Sequence, residues 1–195
     1  MRKSERSPAA TLFAATGLGA ALFFAPTLAF AVETGANVPA GSFQSRAEAE
    51  AYLKRAVPAA TEANPKFRSP GSDVLRRWLT RSVAFHASDD GGVIVSTSET
   101  FEDFRDGSLS GRGTHEAEFA MDDVRVSPET TDDVTESGEK AQGVVFTCVG
   151  APCIHAVWDG QKSVAASTDI YLQDAARRDE ILAAFQALRR KGEAP

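Results

Sequence analysis

The chain is poor in cysteine, and that scarcity excludes several chemistries at once. Only Cys148 and Cys153 occur among 195 residues, and four residues separate them. They form neither the C-x-x-C of a redox-active helix start nor the C-x-x-C-H of a covalent haem site. With no thiol near the N-terminal segment, lipid attachment at a processed terminus is not expected. There is no G-x-S-x-G, H-E-x-x-H, Walker loop or dinucleotide fingerprint. Ser137-Gly138-Glu139-Lys140 matches S-x-x-K, but S-D-N and K-T-G are missing and the run sits in a polar stretch. No calcium loop of the D-x-D-x-D-G kind occurs around Asp122-Asp123 or Asp132-Asp133. Motifs therefore assign no catalytic, cofactor-binding or metal-binding residue. Basic charge is also short, with 21 Lys and Arg against 27 Asp and Glu and a net charge of −6. Such a surface repels phosphate backbones, so no nucleic-acid partner is expected.

What the chain does have begins at its start. Arg2, Lys3 and Arg6 precede an apolar run from Leu12 to Leu28, and Ala29-Phe30-Ala31 supplies the small residues a signal peptidase reads. The pattern predicts a signal peptide over 1–31, cleaved between Ala31 and Val32, and a secreted or periplasmic destination. No later apolar run approaches the ~20 residues of a membrane span, so no transmembrane segment is expected after cleavage. In an oxidising compartment Cys148 and Cys153 are expected to pair as a structural disulfide. A flexible leader rich in Gly, Ala and Pro should cover 32–43, followed by one α+β domain over 44–192.

Within that domain Ser45 and Glu48 make an S-x-x-E capping box, and Ala49, Leu53, Ala56, Val57 and Ala60 recur at helical spacing. Pro58 should stop or kink this helix. A short helix is expected from Asp73 to Thr80. The period then switches to two at Val83, Phe85 and Ala87 and again over Val93 to Thr97, with Asp89-Asp90-Gly91-Gly92 turning the chain between them. Phe101 to Gly113 and Ser127 to Gln142 read as loops, flanking a strand that carries His115, Ala117, Phe119 and Met121. Val144–Cys148, Cys153–Trp158 and the residues after Asp159-Gly160 are expected to form a three-stranded meander. In it Phe146 opposes His155, Val157 opposes Lys162 and Val164 opposes His155. Val144, Phe146, Val157, Val164, Ala166 and Ile170 would share one apolar face. A helix from Asp174 to Lys191 follows, with Ile181, Leu182, Phe185 and Leu188 as its stripe and Gly192 as its stop. The fold class is α+β: an antiparallel sheet or partly open barrel of five to seven strands, packed by the amphipathic C-terminal helix, with an N-terminal helix at its edge or end.

Three histidines are the remaining candidates for chemistry. His115 and His155 are expected on inward faces and His86 on the outer one; a histidine hydrogen-bonded at the core edge explains the inward pair without a metal. Trp158, next to a turn, and Phe101 and Phe104, in the expected loop, mark a candidate binding surface.

Val144-Val145-Phe146-Thr147-Cys148, Cys153-Ile154 and the closing helix are similar to a group of exported bacterial proteins. In these a strand ending F-x-C meets C-I across a hairpin. The order of helix, strands and terminal helix also resembles pleckstrin-homology-like barrels. That resemblance covers mainly residues 144–190 and implies a fold; it implies no reaction and carries over no functional residue. Function is therefore expected to be non-catalytic: an exported, periplasmic module that binds a protein, peptide or envelope component. The alternative is a small secreted hydrolase using carboxylates and a histidine such as His86 or His115.

Overall fold

The computed structural model describes residues 43–189. The expected signal peptide, all of the leader before Phe43 and the helix stop at Gly192 lie outside the described residues. Helix α1 (Arg46–Glu62) begins at the expected Ser45 cap, with the Glu48 carboxylate reaching back one residue further than a capping box does, to Gln44. The Ser45 hydroxyl accepts from the Glu48 N–H at 3.2 Å, and the Glu48 carboxylate accepts from the Gln44 N–H at 2.9 Å. Pro58 does not end it. One backbone bond is lost there, but Val57 and Thr61 are buried and hold the last turn in place.

Nine strands, more than the five to seven expected, form one antiparallel sheet. They are β1 (Phe67–Arg68), β2 (Leu75–Ala87), β3 (Val93–Arg105), β4 (Ser108–Ala120), β5 (Val124–Thr135), β6 (Lys140–Cys148), β7 (Ile154–Trp158), β8 (Gln161–Ala165) and β9 (Ser167–Tyr171), with a 3₁₀ turn at Met121–Asp123. Their order in the sheet is β8-β7-β4-β3-β2-β1-β5-β6-β9.

Three stretches differ from the sequence-based expectation, each because a cross-strand partner far along the chain decides the local structure. Residues 73–80 are not a helix: from Leu75 they are the start of β2, where Trp78 opposes Phe101 and Arg76 opposes Asp103. Phe101 to Gly113 is not a loop but the β3–β4 hairpin, turned at Asp106 and Gly107, whose φ angles of 51° and 76° suit a tight turn between twisted strands. Ser127 to Gln142 is largely β5 and the start of β6; its polar residues sit on a strand whose neighbours hydrogen-bond it, not in a solvated loop.

The meander is half right. Asp159-Gly160 turns β7 into β8 with His155 opposite Val164 and Val157 opposite Lys162, as the turn chemistry requires. But β6 pairs with β5 and β9, not with β7, so Phe146 opposes Val126 and Thr168 rather than His155. The Cys148–Cys153 disulfide, with Cα atoms 5.8 Å apart, closes the crossover from β6 to β7 instead of stapling a hairpin. His155, Val157 and Val164 consequently turn to the outer face, where Val164 is 54% exposed, while Ile154 and Ala156 turn inward.

Residues 161–171 supply both ends of the strand order. β8 pairs with β7, and after the single residue Ala166 the chain pairs with β6 as β9. The sheet must therefore curl until its ends meet. The disulfide stands at that corner, for the Cys148 N–H donates to the Ala166 carbonyl at 2.8 Å. Curling brings Phe119 of β4 to 4.7 Å from Phe146 of β6, ring centre to ring centre. Helix α2 (Ala175–Ala187), capped by Asp174, adds Phe185 at 4.9 Å and nearly perpendicular to Phe146. Leu53 and Val57 of α1, Ile181 of α2 and Leu188 just beyond it complete this apolar core. No described helix is long and apolar enough to cross a membrane.

Phe146→Ala should cost about 3–5 kcal/mol, since a buried ring contacted by two others leaves a cavity that cannot collapse. Equilibrium denaturant unfolding measures it, and a loss under about 1 kcal/mol would contradict this account of the core.

Candidate functional site

Strand alternation puts two titratable residues where the core would ordinarily continue. Val93, Val95, Thr97, Glu99 and Phe101 share the inward face of β3, and His115, Ala117 and Phe119 that of β4. Glu99 and His115 are cross-strand partners, only 4% and 5% exposed. Burial of a carboxylate demands hydrogen bonds to it, and both Glu99 oxygens have one. The Thr80 hydroxyl donates to Oε1 at 2.9 Å, and His115 Nδ1 lies 2.9 Å from Oε2. This bond fixes the orientation of the imidazole.

Around this pair is a cavity of about 230 Å³ lined by Trp78, Glu99, His115, Trp158, Asp169 and Tyr171 among others. The Trp158 ring stacks on His115 at 4.2 Å, and Trp78 meets Trp158 edge-on at 5.6 Å. On the far wall, Tyr171 lies parallel to Trp78 at 6.2 Å and donates its hydroxyl to Asp133 at 3.0 Å. Gly113 makes room for this arrangement, because a side chain there would collide with the Phe101 ring that backs Trp78 and Trp158. β9 divides cavity from core. Ile170 faces the apolar cluster, so its neighbours Asp169 and Tyr171 face the opposite way.

Asp169 is the electrostatic outlier. Burial foremost, then the negative charges of Glu99 and Glu129, push its carboxyl up to about 7; His115 acts in the opposite direction and Asp133 adds to the rise. Burial, aided by Asp169 and Asp133, likewise raises the Tyr171 hydroxyl. The cavity thus unites a carboxylic acid that titrates near neutrality, an oriented imidazole and three aromatic walls. Such a set can bind a small polar ligand or exchange a proton with one.

A larger groove of about 550 Å³ crosses the outer face between Ser82, Ser98, Glu116, His155 and Val164. It faces solvent and encloses no buried titratable group, so the smaller cavity is the better candidate despite its size. Among the expected site residues, Trp158, Phe101 and His115 come together at the cavity, though Phe101 is buried rather than exposed at a loop. Phe104 lies apart, half-buried, with the Lys66 ammonium 4.1 Å above its ring. His155 projects outward, contrary to expectation, and His86 is exposed at the end of β2. Glu99, Asp169, Thr80 and Tyr171 have no counterpart among the expected residues. Of these, only Glu99 left a sequence signal: a charge in phase with inward Val93, Val95 and Phe101. No group of three or more His, Cys, Asp or Glu among the described residues is placed to hold a metal ion.

No protein-family model, curated protein or solved structure matches this chain. The site must be read from its own geometry.

That geometry has a cost in stability. An aspartate that titrates at about 7 when folded and at 3.8 otherwise binds its proton more tightly in the native state. Stability therefore falls as pH rises from about 4 to about 7. Asp169→Asn should stabilise the protein by about 1–2 kcal/mol at about pH 8, with the gain vanishing near pH 4. Thermal unfolding at the two pH values checks this; a loss of stability at the higher pH would contradict it.

Proposed function

We propose that the chain is an exported binding protein whose ligand is a small molecule seated in the cavity between β7 and β9. The observation that carries this reading is the convergence of Trp78, Glu99, His115, Trp158, Asp169 and Tyr171, from five strands, on one cavity. A carboxyl held in so unfavourable an environment beside a cavity is the kind of group that binding and catalytic sites use, and it supports this reading. Docking of a protein or peptide, the leading expectation from the sequence, has less support. The large apolar residues exposed among those described, Leu109, Val149, Trp158 and Val164, are scattered rather than gathered into a patch. Kinship with pleckstrin-homology-like barrels is supported by the curled antiparallel sheet and the terminal helix against it, and by itself assigns no ligand.

Export is supported by the basic start, the apolar run and Ala29-Phe30-Ala31, and the disulfide suits an oxidising compartment. The chain recovered from the cell envelope should begin at Val32 on N-terminal sequencing; recovery of the chain from the cytoplasm beginning at Met1 would contradict export.

The hydrolase reading keeps one specific observation in its favour. His115, held by Glu99 at 2.9 Å, shares the cavity with Asp169, so an acid and a base face the same space. Turnover separates the two.

The chain contains only two tryptophans, and both line the cavity. Intrinsic fluorescence is therefore a site-specific reporter. In a screen of polar metabolites, a true ligand should change Trp emission saturably and be recovered unaltered, and the response should be lost in His115→Ala. Ligands that raise Tm without touching Trp emission would place binding elsewhere. Consumption of the ligand would favour the enzyme.

A further inference from the structure

We infer that the cavity is built for a small organic cation, an alkylated ammonium, with its charge towards Asp169 and Glu99 and its alkyl groups against Trp78, Trp158 and Tyr171. This rests on the cavity being the ligand site, as proposed above, and adds the chemistry of what it takes.

The aromatic walls are the first argument. Three aromatic side chains line the cavity, and a desolvated cation is attracted to the negative quadrupole of an aromatic face. Trp78, Trp158 and Tyr171 come from β2, β7 and β9, so the folded sheet assembles the box rather than any local stretch of chain. The alkyl groups of a methylated ammonium hold water weakly and suit such walls better than a bare ammonium does.

Charge is the second. Glu99 and Asp169 both line the cavity. The charges that act most strongly on Asp169 are Glu99 from β3, Glu129 and Asp133 from β5, and His115 from β4, and three of these are acidic. The nearby guanidinium is already committed. Arg76 gives two hydrogen bonds to Asp103, at 2.7 and 2.9 Å, and lies 4.1 Å over the Phe101 ring and 5.5 Å over Trp78. Arg76 also acts on Asp133 and Tyr171, so the negative potential is concentrated at Asp169. An anion is repelled, and a neutral ligand brings no charge to oppose the Asp169 carboxylate, whereas Glu99 already has Thr80 and His115.

Size is the third. About 230 Å³ is below the range of roughly 300–1,000 Å³ that holds drug-sized molecules. A choline-sized cation fits that limit. Such a cation occurs free and as a lipid headgroup, and Trp158, 40% exposed, is the ring most open to solvent.

The test uses the full-length exported chain with Trp fluorescence and calorimetry. Choline is titrated beside 3,3-dimethylbutan-1-ol, which has the same shape without the charge. Choline should bind saturably and at least about tenfold more tightly than its isostere, the fold-change a single unopposed charge contact gives. Asp169→Asn should erase most of that preference. In the unaltered protein, choline affinity should rise about tenfold between about pH 5.5 and pH 8 as Asp169 ionises, giving a second readout that needs no variant. A parallel arm with phosphatidylcholine vesicles asks whether the headgroup is taken while attached to lipid; binding in either arm, with the same charge preference, supports the inference. Equal binding of the isostere overturns the cation and leaves the cavity reading intact. No response to choline, vesicles or isostere also overturns the cation, while the cavity reading then stands or falls on the metabolite screen.

Discussion

One segment of chain has to close this fold. Residues 161–171 pair with β7 in their first half and β6 in their second, with only Ala166 between. Two strands at opposite ends of a nine-stranded sheet cannot be covalently adjacent unless the sheet bends round to meet itself. Everything else follows from that bend. It sets Phe119 against Phe146, gives α2 a surface to cover with Phe185, and sets Tyr171 parallel to Trp78. The disulfide stands beside this junction, where the Cys148 N–H donates to the Ala166 carbonyl.

The bend also leaves one strand facing two environments. Ile170 belongs to the apolar core, and Asp169 on the opposite side of β9 belongs to the cavity. Hydrophobic burial of the first holds the second where a carboxylate would not otherwise stay. Core packing and cavity lining are coupled here through the backbone of a five-residue strand. The same logic applies on the facing wall, where Phe119 and Ala117 secure the strand that carries His115, and Val95 the strand that carries Glu99.

How much of this was legible in the sequence depended on how local the cause was. The Ser45–Glu48 cap, the Asp159-Gly160 turn with its register, and the stripe of α2 are settled by neighbours within a few residues, and the structure agrees with them. Asp106-Gly107 carries the same turn chemistry as Asp159-Gly160, but the glycines and charges around it read as a loop. Pairing of β6 depends on β5 and on β9, so two nearby cysteines suggested a hairpin that the chain does not form. His115 could be placed inward by alternation. Glu99 could have been, since it is in phase with Val95 and Phe101. Asp169 could not. Its environment exists only once the sheet has curled, and no window of sequence contains the residues that bury it.

The account stands on a carboxyl held in an unfavourable place, and its titration tests that most directly. Carbon-13 NMR of the Asp169 carboxyl, assigned by its disappearance in Asp169→Asn, follows the group through the pH range. The account predicts a midpoint of about 7, far above the ordinary 3.8. A midpoint at the ordinary value would mean that Asp169 is solvated or paired, and that the cavity lacks the charge on which the proposed binding depends.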